Sequence, residues 1–250
     1  MAFPNRQYPP RRYGNALRLQ NTQWAKIDAL SGAMGTWSLI LPFHCAGSQV
    51  GITGDSAGAY LFQNRHTLAN SFSLRLVLEA GGANILVRTV TPGPSVNEIA
   101  SVPVATFLAR KHQLILKRLA PISTGTGRIT ASFDGAAFST AIEANNVSMD
   151  TWASGAGFVG AFFGANGLGG GYHTDTRIPE AILVAGDISA TDAARLYNAR
   201  NGSYYFETML SALPVIARWN MEAITSGEIL DESGNARDLV LTASPTLITY

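Results

Sequence analysis

Ser71-Phe72-Ser73-Leu74-Arg75-Leu76-Val77-Leu78 decides the fold class, because its first residues alternate between apolar and polar with a period of two. Phe72, Leu74 and Leu76 then share one face of an extended strand while Ser73 and Arg75 occupy the other, so one face meets a core and one meets water. Runs of the same character recur on both sides of it. Trp37 to Phe43, Gln49 to Thr53, Ala59 to Gln63 and Asn84 to Val90 read as strands, bounded by Gly47, by Gly54 with Asp55, and by Gly81-Gly82. Thr91-Pro92-Gly93-Pro94 marks a turn, and Val104 to Leu108 with His112 to Leu116 supply two further strand candidates. Asp134-Gly135 follows the run from Arg128 to Phe133 and predicts a hairpin turn, since both residues take positive φ readily. One helix is expected. Ser189 caps it with Asp192 three residues on, Ala193, Leu196 and Tyr197 form its apolar stripe, and Gly202 is its stop.

Composition agrees with an all-β reading. At 250 residues the chain can bury a substantial core as one large domain or two small ones. Apolar residues at 46%, charged residues at 14% and 25 glycines suit many short strands and tight turns, and exclude disorder over most of the length. A net charge of +1 gives no global field to draw the protein onto nucleic acid or an anionic membrane. No segment approaches a membrane span, and the first residues lack the apolar stretch of a signal peptide, so a soluble protein is expected. Cys45 is the single cysteine, which rules out an intrachain disulfide, and it reads as a small buried hydrophobe. Arg6, Arg11, Arg12 and Arg18 lie among Pro4, Pro9 and Pro10 without an acid. That pattern predicts an extended basic arm over residues 1–13, with Arg6, Arg11 and Arg12 as partner-binding candidates; a frayed, solvated terminus is the alternative.

Two distant segments carry a resemblance. Gly14-Asn15-Ala16-Leu17-Arg18-Leu19 stands near the front, while Ala217-Arg218-Trp219-Asn220-Met221-Glu222 and Asp231-Glu232-Ser233-Gly234-Asn235 stand near the end. They resemble pieces of the laminin-G-like, concanavalin A-like lectin and glucanase superfamily, in which a W-x-F/M-D/E strand and a D-x-S-G-N turn precede a G-x-A-L-x-F strand. Here they follow it. Arg128 to Ala137 resembles the family's x-Y-x-D-G hairpin, and Glu180 to Asn198 resembles its closing strand and helix, departing at Glu180-Ala181 where the family tends to an acidic pair. The resemblance implies a concanavalin A-like jelly-roll β-sandwich over residues 14–202 with one short capping helix. It leaves 203–250 as a segment whose strand folds back to complete the sandwich, begins a truncated repeat, or completes a neighbouring subunit's sheet. Folding back is the preferred expectation, and association as a homo-oligomer accompanies the subunit alternative.

Candidate chemistry is sparse. Gly54-Asp55-Ser56-Ala57-Gly58 matches G-x-S-x-G, the nucleophile elbow of serine esterases, with Asp150 and His173 available to complete a triad in the right chain order. The elbow requires a helix directly after the serine, however, and Ala59 to Arg65 reads as extended, so an ordinary turn is the preferred reading. The paired glutamates of the superfamily's retaining glucanases, spaced E-x-D-x-x-E, are absent. Asp231 and Asn235 offer oxygen ligands that calcium would accept, as in some members of the superfamily, against the reading of an Asx turn satisfied by backbone amides. The glycine-rich stretch from Ser154 to Gly171, with Phe158, Phe162 and Phe163, reads as bends between strands. After it, Tyr172, His173, Asp175 and Arg177 combine an aromatic ring with a carboxylate and a guanidinium, a set able to stack on and hydrogen-bond a sugar; Trp152 is the second such candidate.

The expectation that results is a non-enzymatic protein working by surface contact. Joined to the basic arm, the resemblance implies a phage structural component, a head decoration or tail-associated protein located in the virion. The arm would hold other virion proteins and the sandwich host surface glycans, with no nucleic acid, membrane or cofactor. A serine esterase using Ser56 and a free carbohydrate-binding lectin are the alternatives.

Overall fold

The structure, a computed structural model, describes residues 14–20, 23–27, 36–46, 59–66, 72–90, 96–123, 126–145, 158–164, 175–199 and 204–250. Residues 1–13 of the expected arm, the expected strand from Gln49 to Thr53, Ser56, Asp150, Trp152, Tyr172, His173 and Gly202 lie outside them. The first strands in chain order are β1 (Asn15–Leu19), β2 (Trp24–Ile27), β3 (Trp37–Cys45), β4 (Ala59–His66), β5 (Phe72–Gly81), β6 (Asn84–Val90) and β7 (Val96–Pro103). A one-turn helix α1 (Val104–Leu108) leads to β8 (His112–Ser123), β9 (Thr126–Phe133), β10 (Ile142–Asn145), β11 (Phe158–Gly164), β12 (Thr176–Ile178) and β13 (Glu180–Ala185). Helices α2 (Ala190–Ala199) and α3 (Tyr204–Ser211) precede β14 (Val215–Asn220), β15 (Glu228–Ile229), β16 (Leu239–Thr242) and β17 (Thr246–Thr249).

These strands form two sheets around one core, an all-β jelly-roll-like sandwich. Sheet 1 runs β10-β9-β8-β3-β12-β1-β17, with β13 also pairing β3 and β14 pairing β13; sheet 2 runs β15-β16-β2-β11-β4-β5-β6-β7. Every described pairing is antiparallel, so alternate residues of each strand face the core. Four aromatic rings cross from one sheet to the other. Trp37 of β3 meets Phe62 of β4 edge-on at 6.5 Å, Phe62 meets Phe163 of β11 at 5.7 Å, and Phe163 meets Trp219 of β14 at 5.9 Å. All four are buried, and the Trp219 indole N–H donates to the Arg237 carbonyl at 2.6 Å, which leaves its polar edge satisfied.

Sheet 1 is broken beside its central strand, and the break has a local cause. Pro42 lies in the middle of β3 and has no N–H to offer a neighbour. From Ile40 to His44 β3 advances four residues while its partner, going from Ile182 back to Arg177, spans five. The irregularity falls at Pro179 and divides the neighbour into β12 and β13. Each half takes its own outer partner. β12 pairs with β1 and β13 with β14, so two strands from opposite ends of the sequence share one place in the sheet. The seam between them is stitched: Gly14 N–H donates to Glu222 Oε1 at 3.0 Å, Asn15 Nδ2 donates to the Glu222 carbonyl at 3.1 Å, and Met221 N–H donates to the Pro179 carbonyl at 3.0 Å. A Cβ at position 14 would lie 2.8 Å from Glu222 Oε2, so a side chain there would make the Glu222 carboxylate shift. The remainder of the C-terminal segment adds β15 and β16 to sheet 2 and β17 beside β1.

Helices α2 and α3 cover one end of the outer face of sheet 1. Ile40, Ile115, Ile182 and Val184 point outward there and pack against Ala193, Leu196, Phe206 and Leu210. The cap of α2 is the expected one, with Ser189 Oγ accepting the Asp192 N–H at 3.1 Å and donating to the Asp192 carboxylate at 2.7 Å. The Asp-Gly turn is also as read, with φ of 49° at Asp134 and 73° at Gly135. Helix α3 is pinned through charge. Arg218 on β14 donates to Glu180 Oε1 at 2.7 Å and to both carboxylate oxygens of Glu207 on α3 at 2.9 Å, and Glu180 is fully buried.

Two expectations need correction. Val104 to Leu108 is not a strand but helix α1, because Pro103, with φ near −53°, sets up a helical first turn and Phe107 swings into a stack with His112 and Phe133. That packing outweighs the β propensity of Val104 and Thr106. The expectation of one helix also missed α3, which is held by Phe206 and Leu210 against sheet 1 and by the pairing of Glu207 with Arg218.

Trp219→Ala is expected to lower the unfolding free energy by about 3–5 kcal/mol in denaturant titration. A loss under about 1 kcal/mol would show that β14 contributes little to the core. Arg218→Ala takes a charged partner from the buried Glu180 and should cost about 3–5 kcal/mol, whereas Glu207→Ala, at the exposed end of the same network, should cost about 1 kcal/mol or less.

Candidate functional site

The end of sheet 1 that the helices leave uncovered carries a row of basic side chains. Phe43 and Cys45 face the core, so His44 between them faces outward. Arg177 of β12 lies opposite His44, Arg18 of β1 lies opposite Arg177, and Thr246 of β17 lies opposite Arg18. At the usual strand spacing the row is about 14 Å long. Asp175 closes it at the start of β12. Arg18 grips the Asp175 carboxylate with a two-pronged fork, Nε to Oδ1 at 2.7 Å and Nη2 to Oδ2 at 3.0 Å, while Arg177 holds the same oxygens more loosely at 3.5 and 3.3 Å. Burial works to raise the Asp175 pKa, but the two arginines outweigh it and hold the carboxyl below its ordinary range.

Asp175 has a φ of 34°, a left-handed conformation costly for a residue with a side chain. Its carbonyl accepts the Ala46 N–H at 3.1 Å and its carboxylate is held by Arg18, so the strand entry is fixed from both sides. On the near side of the row, Lys111 places its ammonium 3.9 Å from the centre of the Tyr250 ring, a cation-π contact. Burial pushes the Lys111 pKa down. Burial also lowers the His44 pKa, with Arg177, Lys111 and His112 adding repulsion against the hydrogen bond that His44 Nε2 donates to the Leu108 carbonyl at 3.0 Å. Arg177 pairs with His44 across β12 and β3, and Lys111 directly precedes His112, the β8 partner of Phe43, so the two cations come from either side of His44.

Asp175 and Arg177 from the sequence reading thus meet in one place, and Arg18, His44, Lys111 and Tyr250 join them. Sequence reasoning missed these four because nothing local marks them. Arg18 and His44 each sit singly between two apolar residues, which signals an outward position on a strand but not which strand lies next to it.

Three other titratable groups, His112, Lys117 and Cys45, are committed to the scaffold. His112 is stacked on Phe107 at 4.4 Å, with Nδ1 against Asp134 Oδ2 at 2.8 Å and Nε2 donating to the Phe107 carbonyl at 2.9 Å. A histidine beside an aspartate suggests a dyad, but both ring nitrogens are occupied, and no lone pair faces a nucleophile. Lys117 donates to Asp187 Oδ1 at 2.6 Å and the Ile188 carbonyl at 3.0 Å, fastening the entry to α2. Cys45 is buried against Thr176, and burial pushes its thiol up to about 12.

The calcium candidates Asp231 and Asn235 share a turn. The Asp231 carboxylate accepts from the N–H groups of Arg218, Ser233 and Arg237 and from the Ser233 hydroxyl, at 2.8 to 3.2 Å, in the manner of an Asx turn. Asn235 Nδ2 donates to the Ile216 carbonyl at 2.8 Å, fixing the turn to β14. Among the described residues no group of three or more His, Cys, Asp or Glu is placed to hold a metal ion. No described helix is long and apolar enough to cross a membrane.

No protein-family model matches the chain, and neither does any curated protein. Among solved structures, a Bacteroides ovatus protein provisionally assigned as carbohydrate binding superposes over 96% of this chain and 61% of its own length, with a TM-score of 0.57 and 12% identity. A Trypanosoma rangeli sialidase aligns over 68% of this chain and 24% of its own, with a TM-score of 0.45 and 10% identity. Tailspike protein 2 of an Escherichia coli O157:H7 bacteriophage aligns over 73% and 24%, with a TM-score of 0.40 and 14% identity. Likeness at such identities is one of fold, and the first superposition alone is close enough to bear on it.

Unfolding free energy should fall as the solution is acidified, because His44 is held neutral and Asp175 charged in the folded state. The unfolded chain takes up protons sooner, first as the pH drops below 6.5 for His44 and then below 3.8 for Asp175. Urea titrations across this range check the sign, and Arg18→Ala should flatten the second step.

Proposed function

We propose that the chain is a non-catalytic, lectin-like β-sandwich of the concanavalin A-like superfamily that binds carbohydrate through the outer face of sheet 1 and serves as a virion component. The observation that carries the binding reading is the row His44, Arg177, Arg18 with Asp175: four polar side chains aligned on the solvent side, one of them on a strained backbone. Side chains preorganised on rigid strands bind with less ordering cost than side chains on a loose loop. The Bacteroides ovatus protein, with its carbohydrate-binding assignment, favours a sugar as the ligand. Within residues 14–202 the order and spacing of the family-like segments favour the superfamily. For the virion setting the support is the sequence itself, namely the basic, proline-bearing residues 1–13 joined to a sandwich of this class.

A non-catalytic role is favoured by the commitment of His112, Glu180 and Cys45 to structure. On a glycan array the full chain should bind a defined set of saccharides, and Arg177→Ala should weaken that binding by about tenfold or more, the usual loss for a charged hydrogen bond. Turnover of a nitrophenyl ester that disappears in Ser56→Ala would overturn the reading in favour of an esterase. Deletion of residues 1–13 should abolish attachment to particles while leaving the denaturant midpoint of the sandwich unchanged; retained attachment would remove the arm from the proposal.

A further inference from the structure

Resting on that carbohydrate-binding reading, we propose that the ligand is an anionic saccharide, one whose sugars bear carboxylates, received by Arg177 and Lys111 with Tyr250 beside them. The argument begins with an imbalance of charge. Among the described residues, Arg18, Arg177 and Lys111 bring three cations to the row and Asp175 one carboxylate, a surplus of two in a protein whose formal charge is +1. The single carboxylate is already matched. Arg18 takes both its oxygens at 2.7 and 3.0 Å, and Arg177 reaches them only at 3.3 to 3.5 Å.

Arg177 thus presents a planar fork in excess of what the fold requires, next to an ammonium that the fold does not neutralise with any described carboxylate. Like charges brought together on a partly desolvated surface repel one another, and a carboxylate-bearing ligand relieves that repulsion while a neutral one does not. A guanidinium fork also matches the two oxygens of a carboxylate in geometry.

The aromatic ring narrows the ligand class. Tyr250 carries Lys111 over its ring at 3.9 Å, so a flat π surface and a cation stand together at the edge of the strip. A pyranose bearing a carboxylate has both complements: C–H groups polarised toward the negative face of a ring, and an anion for the ammonium. Nucleic acid fits less well. The row is about 14 Å long and interrupted by Asp175, where a phosphate backbone calls for a continuous run of cations.

The test uses the full chain and two forms of one backbone, oligogalacturonate and its methyl ester, with a DNA oligonucleotide as a third probe, all by isothermal titration. Expected are binding of the acid at least tenfold tighter than of the ester, weakening of acid binding with added salt, and a tenfold or greater loss in Arg177→Ala and in Lys111→Glu. Arg177→Lys should recover only part of the affinity. Equal affinity for acid and ester overturns the inference and leaves the broader carbohydrate reading standing. DNA bound as tightly as the acid overturns it too, as does the absence of binding to either saccharide; in that last case the glycan array decides separately whether the broader reading survives. Should Arg177→Ala fail to fold, Lys111→Glu, at an exposed side chain, decides the matter.

Discussion

Sheet 1 has one place beside β12 and β13 and fills it with β1 and β14, strands that belong to opposite ends of the chain. The division originates in two prolines. Pro42 has no hydrogen to give its neighbour, and at Pro179 the neighbour steps out of register and starts again. Once that strand is in two pieces, a single long partner cannot follow both. The Gly14 N–H meets the Glu222 carboxylate across 208 residues of sequence because the two pieces end at the same point. Trp219, brought in by β14, then completes the line of rings through the core.

The same break separates two kinds of surface. On the β13 side, outward aliphatic residues lie under α2 and α3, and the charged groups among them tie the helices down, Arg218 through Glu180 and Glu207 and Lys117 through Asp187 and the Ile188 carbonyl. On the β12 side, outward residues are His44, Arg177 and Arg18, which lie outside the patch packed under α2 and α3, and α1 meets them only where the Leu108 carbonyl accepts from His44. Burial thus sets what each charge does. Glu180 must be paired because it has no access to water, while Arg177 retains about a quarter of its exposure and only distant partners.

Much of the architecture was legible because it rests on local patterns. Alternation in Phe72 to Leu76, the Ser189 and Asp192 cap and the Asp134-Gly135 turn each specify backbone geometry from neighbouring residues alone. Val104 to Leu108 misled because its composition suits a strand, and only the pocket formed by Phe43, His112 and Phe133 makes a helical turn the better choice. The candidate site was half legible. Asp175 and Arg177 are two residues apart and announce themselves, whereas Arg18, His44 and Lys111 reach the same strip only through strand order and register, which no local pattern encodes. The displacement of the family's usual first strand to the end of the sequence pointed to the contact between the two ends, but no local pattern marks the proline break that permits it.

A sandwich whose central edge is filled by strands so far apart in sequence cannot assemble as it is made. Residues of β1, β3 and β13 leave the ribosome with the flank of β13, and the space beside Phe163, still waiting for β14 and Trp219. Until those arrive, a row of backbone donors and acceptors and a greasy cleft are open to anything else in the cell. Closure of the sandwich therefore waits until β14 has been made, and a chain stalled before Val215 exposes the flank of β13 and the cleft beside Phe163.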